Sequence, residues 1–205
     1  MPKTDFKKSL PCYRSSSGSF EVIEVPQLQY LMIDGHGDPN AGGPFTDAIG
    51  ALFGVGYKLK FASLHELGRD YVVMPLEGLW SAADQTAFTT ALDKATWDWT
   101  LLMMVPDWLT GELFATAVSA TRAKASPTAL DRLRLETLAE GQCVQTLHQG
   151  SFDDEAATLD LLHNEFLVAN GLRPRGRHHE IYLSDFTRTA PAKLRTILRQ
   201  PVSPC

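Results

Sequence analysis

Residues 178–185 read His178-His179-Glu180-Ile181-Tyr182-Leu183-Ser184-Asp185, a run whose apolar residues recur with a period of two. In a strand, that alternation sends His178, Glu180 and Tyr182 to one face and His179, Ile181 and Leu183 to the other, where the aliphatic pair can anchor a core. The acid and the phenol then share a face. If that face lines a cavity, a carboxylate beside an aromatic ring suits cationic or polarisable aromatic molecules. If it meets water, it is the wet side of an antiparallel sheet. Periodicity alone leaves both readings open.

Working outward from this strand gives the fold. Upstream, Gln142 to His148 reads as a strand, Gly150 as a break and Asp153 to Ala169 as a helix. The helix has an apolar stripe of Ala156, Leu159, Leu162, Phe166 and Leu167, with Asp153, Asp154 and Glu155 at the positive end of its dipole and Gly171 as terminator. Downstream, Leu194 to Leu198 supplies a last strand after the turn containing Pro191. The order is β-α-β-β.

The same order occurs once earlier in the chain. Phe20 to Ile33 is strand-like and breaks at Gly35-His36-Gly37-Asp38-Pro39. A helix is expected over Phe45 to Glu66, with Ile49, Leu52, Phe53, Tyr57 and Leu59 apolar, and with Gly50, Gly54 and Gly56 as helix-weakening positions that permit close packing. Asp70 to Leu79 reads as a strand, and Trp97 to Val105 as its antiparallel partner across a polar connection containing Asp84 and Gln85. Between the copies, Pro106 to Asp131 reads as helical through Leu109, Leu113, Phe114 and Val118, with Pro127 limiting a further short turn.

The expected fold is therefore α+β, a tandem β-α-β-β repeat laid into one curved antiparallel sheet, with the helices on one face and a central ligand cleft at the pseudo-twofold. Residues 1–19 form an N-terminal extension and 20–205 one domain, with halves at about 20–105 and 132–202 joined by 106–131. Ile181 and Leu183 are expected to face the helices. Glu180 and Tyr182 are expected to face the cleft, opposite a first-half set of Tyr71, Val73, Pro75 and Glu77.

Composition narrows the function classes. The chain has 205 residues, 44% of them hydrophobic, enough to bury a core unaided. A net charge of -5, without a basic stripe beyond Arg173, Arg175 and Arg177, argues against nucleic acid as a partner. Cys12, Cys143 and Cys205 lack metal-ligand spacing and do not suggest a disulfide framework, so a reducing, cytoplasmic setting is expected. No stretch approaches the roughly 18 apolar residues of a membrane span, so no membrane partner is expected. There is no Gly-rich phosphate loop, nucleophile elbow or HExxH helix, and neither a cofactor nor a metal is expected. Oligomeric state is not legible.

Three stretches carry a family resemblance: Pro75-Leu76-Glu77-Gly78-Leu79-Trp80, His179-Glu180-Ile181-Tyr182-Leu183-Ser184-Asp185, and Lys193-Leu194-Arg195-Thr196-Ile197-Leu198-Arg199. Through them the chain resembles the GyrI-like small-molecule-binding family over roughly Phe20 to Val202, and in particular stand-alone members similar to the cyclopropanoid cyclopropyl hydrolases. The resemblance implies a pseudo-dimer of two β-α-β-β units with a ligand cleft between them, and it places Glu180 in that cleft against cationic or polarised aromatic compounds. It also implies a detoxifying hydrolase of cyclopropapyrroloindole-type DNA alkylators that uses an aromatic cage, or else a protein that only sequesters such compounds.

The residues themselves suggest how such chemistry would be divided. Opening a cyclopropane conjugated to a dienone requires water at the methylene and a donor at the carbonyl oxygen. Glu180 and Tyr182 are the catalytic candidates, the first for the water and the second for the oxyanion. The candidate ligand-binding residues are Tyr71, Glu77, Trp80, Trp97, Trp99, Trp108, Phe152 and His178. For several of these the alternatives stay open: Trp97 and Trp99 as cleft wall or core, Trp108 as helix-packed core, and Glu77 as a second cleft carboxylate or a turn cap.

Overall fold

The computed structural model describes residues 3–82, 94–122 and 127–205. Asp84 and Gln85 lie outside the described residues. Nine strands are described: β1 (Glu21–Val25), β2 (Leu28–His36), β3 (Glu77–Ala82), β4 (Trp97–Val105), β5 (Arg134–Leu138), β6 (Gly141–Gln149), β7 (Leu172–Pro174), β8 (His178–Tyr182) and β9 (Arg195–Pro204). All pair antiparallel, in the order β1-β6-β9-β8-β3-β4-β2-β5, with β7 on β9.

This order contains the repeat. The first unit lies as β2-β4-β3 and the second as β6-β9-β8, each with its strands in the spatial order first, third, second. The second strand of each unit, β3 and β8, meets its counterpart at the centre, with Gly78 opposite Glu180 and Trp80 opposite His178. The edges are exchanged between the units. Strand β1 precedes the first unit in the chain but pairs with β6 of the second, and β5 precedes the second unit but pairs with β2 of the first. Each unit thus protects the other's open edge, which ties the halves together and covers backbone groups that would otherwise recruit foreign strands.

Several boundaries differ from expectation. The strand expected over Phe20 to Ile33 is two strands because Pro26, which has no amide proton to give a ladder, sits where the chain crosses from β1 to β2. The strand expected over Asp70 to Leu79 joins the sheet only from Glu77. Residues ahead of it run alongside the N-terminal segment instead, where Thr4 bridges Tyr71. Short β5 and β7 have too few alternating residues to stand out in the sequence.

Among the described residues the α-helices are α1 (Phe6–Ser9), α2 (Pro44–Glu66), α3 (Gly111–Thr121) and α4 (Pro127–Arg132). A last helix, α5, is α-helical over Glu155–Asp160, π-helical over Leu161–Phe166 and α-helical again over Leu167–Ala169. It ends at Gly171, whose φ of 62° is the left-handed stop that glycine accepts most readily. Helix α2 buries Ala48, Ala51, Leu52, Val55 and Leu59 against β2 and β4, while Tyr57 is exposed. Full burial of each larger aliphatic side chain contributes about 1.5–3 kcal/mol. Gly56 lets α2 approach the sheet, since a Cβ there would stand 2.7 Å from the Met103 sulfur. Among the described residues no helix is long and apolar enough to cross a membrane.

Candidate functional site

Strand register decides which side chains meet. Directly paired residues of an antiparallel ladder share a face. The pairs Gly78–Glu180, Trp80–His178, Trp80–Trp99 and Tyr182–Thr196 therefore put Glu180, Tyr182, His178, Trp80, Trp99 and Thr196 on one face. The pairs Glu77–Ile181 and His179–Arg199 lie on the other.

Both repeat helices stand on the Glu180 face. Phe45 in the first turn of α2 stacks on Trp80 at 6.1 Å between ring centroids and meets the Trp99 ring edge-on at 5.1 Å. From the turn that leads into α5, Phe152 meets Tyr182 edge-on at 5.6 Å. The expectation that Ile181 faces the helices is thus corrected. Ile181 packs on the back face, and that face is closed by the N-terminal segment, with Cys12 and Tyr13 buried against the sheet.

On the helix face a chain of hydrogen bonds ends at Glu180. Trp80 Nε1 donates to the Tyr182 hydroxyl at 3.1 Å, and that hydroxyl donates to Glu180 Oε2 at 2.8 Å. Gly78 makes the contact possible. A Cβ there would lie 2.7 Å from Trp80 Nε1 and 3.0 Å from the Tyr182 oxygen, so indole and phenol converge over a position without a side chain. Gly78→Ala should separate the two and cost about 1–3 kcal/mol through overpacking, read as a lower denaturation midpoint with an altered tryptophan emission. An unchanged midpoint and spectrum would contradict this geometry.

The second Glu180 oxygen, Oε1, is 3.8 Å from His178 Nε2, too far for a hydrogen bond, and neither His178 nitrogen has a partner. Burial pushes the His178 imidazole down to about 3, so it is neutral and forms no ion pair with Glu180. Burial likewise raises the Glu180 carboxyl to about 7, against the lowering effect of the Tyr182 hydrogen bond.

Of the other aromatic candidates, Trp97 meets Trp80 edge-on at 5.6 Å, and Phe186 closes a triangle with Phe152 and Tyr182 at about 6 Å. Tyr71 and Trp108 are elsewhere. They pack with each other at 6.3 Å, and Trp108 also packs with Phe6 at 5.8 Å, with the Arg69 guanidinium over the Trp108 ring at 3.7 Å and Trp108 Nε1 donating to Ser63. Two surface depressions also lie away from the Glu180 cluster. One of about 310 Å³ is lined by Pro11, Arg14 and Glu21, and one of about 240 Å³ lies between α2 and α3.

Glu77 does not join Glu180. It is fully buried on the back face, where it accepts from the Tyr13 hydroxyl at 2.6 Å and bonds His179 Nε2 at 2.9 Å. The expected set of Tyr71, Val73, Pro75 and Glu77 fails with it. The strand starts later than expected, and in the observed register Gly78 and Trp80 hold the positions facing Glu180.

A second carboxyl on the Glu180 face is Glu155 of α5, 5% exposed, with Oε1 buried and unpartnered. Burial, followed by the Glu180 charge, pushes it up to about 10. Sequence reasoning took Glu155 as a helix-dipole charge. The available signal was that Glu155 stands four and seven residues before Leu159 and Leu162, on the inward stripe, whereas the expected stripe residue Ala156 is exposed and Asp153 and Asp154 precede the helix.

Comparison with known proteins agrees with this arrangement. The family model described as a GyrI-like small molecule binding domain matches residues 19–203, and the chain belongs to that family. A crystal structure of a hydrolase from Listeria innocua is 34% identical, with a TM-score of 0.85, covering 98% of this chain and 100% of that one. A conserved protein of the same organism, described as uncharacterized, is 35% identical with a TM-score of 0.88 over the same shares. The EcmrR C-terminal domain, 12% identical with a TM-score of 0.59 over 91% of this chain and 98% of that one, shares the fold. No curated protein matches the chain significantly.

Proposed function

We propose that this chain binds flat aromatic molecules on the Trp80–Tyr182 face and hydrolyses cyclopropanoid DNA-alkylating compounds, a detoxifying activity. The observation that carries the reading is the Glu180 carboxylate, held at Oε2 by Tyr182 on a face built of aromatic rings, with Oε1 3.8 Å from His178 Nε2. Membership in a small-molecule-binding family supports it, as does the 34% identity to a Listeria innocua hydrolase.

In this reading Trp80, Trp97, Trp99 and Phe152 orient the flat substrate, each favourable aromatic contact adding about 0.5–1.5 kcal/mol beyond burial. Water lies against Glu180 Oε1, which takes its proton as the water oxygen attacks the cyclopropane methylene. Tyr182 directs its hydroxyl proton at Glu180, so it acts as the tether that aims the carboxylate.

The test is turnover. Substoichiometric protein incubated with excess alkylator should yield the ring-opened alcohol by chromatography. Because the base must be ionised, kcat/KM should rise with pH through about 7. Stoichiometric binding with no alcohol at any pH would overturn the hydrolase and leave a protein that sequesters aromatic compounds.

A further inference from the structure

The chemistry just described leaves one proton without a source. When water attacks the methylene, the bond from that carbon to the spiro carbon breaks, and its electron pair flows through the dienone to the carbonyl oxygen, which becomes a phenolate. Water addition is complete only when that oxygen is protonated. Tyr182 is poorly placed to supply the proton, because its hydroxyl donates to Glu180 and accepts from Trp80.

We propose that Glu155, a buried carboxyl on the face that holds Glu180 and Tyr182, with Oε1 unpartnered, is the acid that protonates the oxygen released on ring opening. This rests on the hydrolase reading. In the full step Glu180 takes a proton from water, Glu155 gives one to the phenolate oxygen, a C–O bond forms and a C–C bond breaks. The product is the alcohol and phenol, and solvent returns the proton from Glu180 to Glu155.

Three structural facts assign the roles in this direction. Glu155 comes from α5, while Glu180 and Tyr182 come from β8, so a flat molecule on this face would have one carboxyl from the helix and one from the sheet. Thr196, opposite Tyr182 in the ladder, acts on the Glu155 carboxyl from the same face. A buried oxygen with no partner is costly unless it carries a proton or meets a ligand.

The surrounding charges favour the protonated acid. Glu180 acts on Glu155 from β8, and Asp153 acts from its own turn, where Lys94 approaches Asp153 at 3.6 Å. His148 of β6 bonds Thr158 one turn further along α5. Two carboxyls whose environments hold their proton affinities apart are the usual arrangement of a base paired with an acid.

The experiment compares wild type with Glu155→Gln, which keeps the shape of the neutral acid but has no proton to transfer. Wild-type kcat/KM for a cyclopropane-dienone should rise through about 7 and fall through about 10. The variant should lose the alkaline fall and turn over roughly 10²-fold or more slower. Thermal melts give a readout independent of activity. Glu155 takes up a proton on folding between its unfolded value of 4.5 and about 10, so wild-type stability should decline with rising pH across that window relative to the variant. A variant that keeps both the rate and the alkaline fall overturns the role of Glu155 alone. Absence of wild-type turnover overturns the hydrolase reading and the acid with it.

Discussion

Glu180→Gln should lower turnover of a cyclopropanoid alkylator by roughly 10² to 10⁴ while affinity for a neutral flat ligand changes little. Gln has the same volume and can still accept from Tyr182, so the Trp80–Tyr182–Glu180 chain and the ring packing over Gly78 are kept. What disappears is a basic oxygen at Oε1. In wild type the His178 ring beside that oxygen is neutral and stands 3.8 Å away, too far to bond it. A loss confined to kcat identifies an interaction made in the transition state, whereas a rise in KM alone would mark Glu180 as a shaping residue. Steady-state kinetics with a parallel titration of a non-reactive analogue separates the two. Full activity in the variant would remove Glu180 from the proton chemistry.

How far the sequence foretold this site depends on parity. Residues 178–182 alternate cleanly, so the shared face of His178, Glu180 and Tyr182 was legible from the strand alone, and β8 pairs without a bulge. Trp97 and Trp99 were legible for the same reason, because β4 keeps its expected bounds. Glu77 was misassigned because a sequence does not state where a strand joins the sheet. Extending the strand back to Asp70 put the odd-numbered residues of that segment opposite Glu180, whereas pairing from Glu77 gives that place to Gly78 and Trp80. Glu155 was missed because a charge at a helix start reads the same whether it meets water or a strand face. The edge exchange of β1 and β5 depends on contacts between halves, which no local pattern encodes. The tandem repeat was legible because each helix and its following strands are long enough to show their periods.

The largest stability effect is expected on the back face, at Glu140. There His179 lies between two carboxylates, 3.0 Å from Glu140 Oε1 and 2.9 Å from Glu77 Oε2, and Arg199 Nη1 donates to Glu140 Oε2 at 2.8 Å. Arg199 also donates to the Cys12 carbonyl, which fixes the N-terminal segment to the sheet. Burial alone would depress His179, but the Glu140 charge and the bonds to both carboxylates outweigh it and raise its proton affinity. Burial would raise Glu140, yet His179 and Arg199 draw it down to about 2. The network thus sets the Glu140 carboxylate between His179 and Arg199. Its His179 contribution is full below about 6.5 and is lost as pH rises through the raised folded value. Its Glu140 contribution is full above about 4.5 and is lost as pH falls toward 2.

Glu140→Leu should cost about 3–5 kcal/mol, because it leaves Arg199 and His179 buried without their shared anion. Chemical denaturation at pH 6, inside the window where both contributions are present, should report that loss. Removing Arg199 together with Glu140 should recover part of it, since the uncompensated guanidinium is then gone. The consequence reaches the other face, because His179 and Glu180 are neighbours on β8. The network holds β8 in register with β3 and β9, and that register aims Glu180 at Trp80 and Tyr182. A Glu140→Leu protein of unchanged stability would mean that solvent reaches these charges, and the back face would then not be what fixes the site.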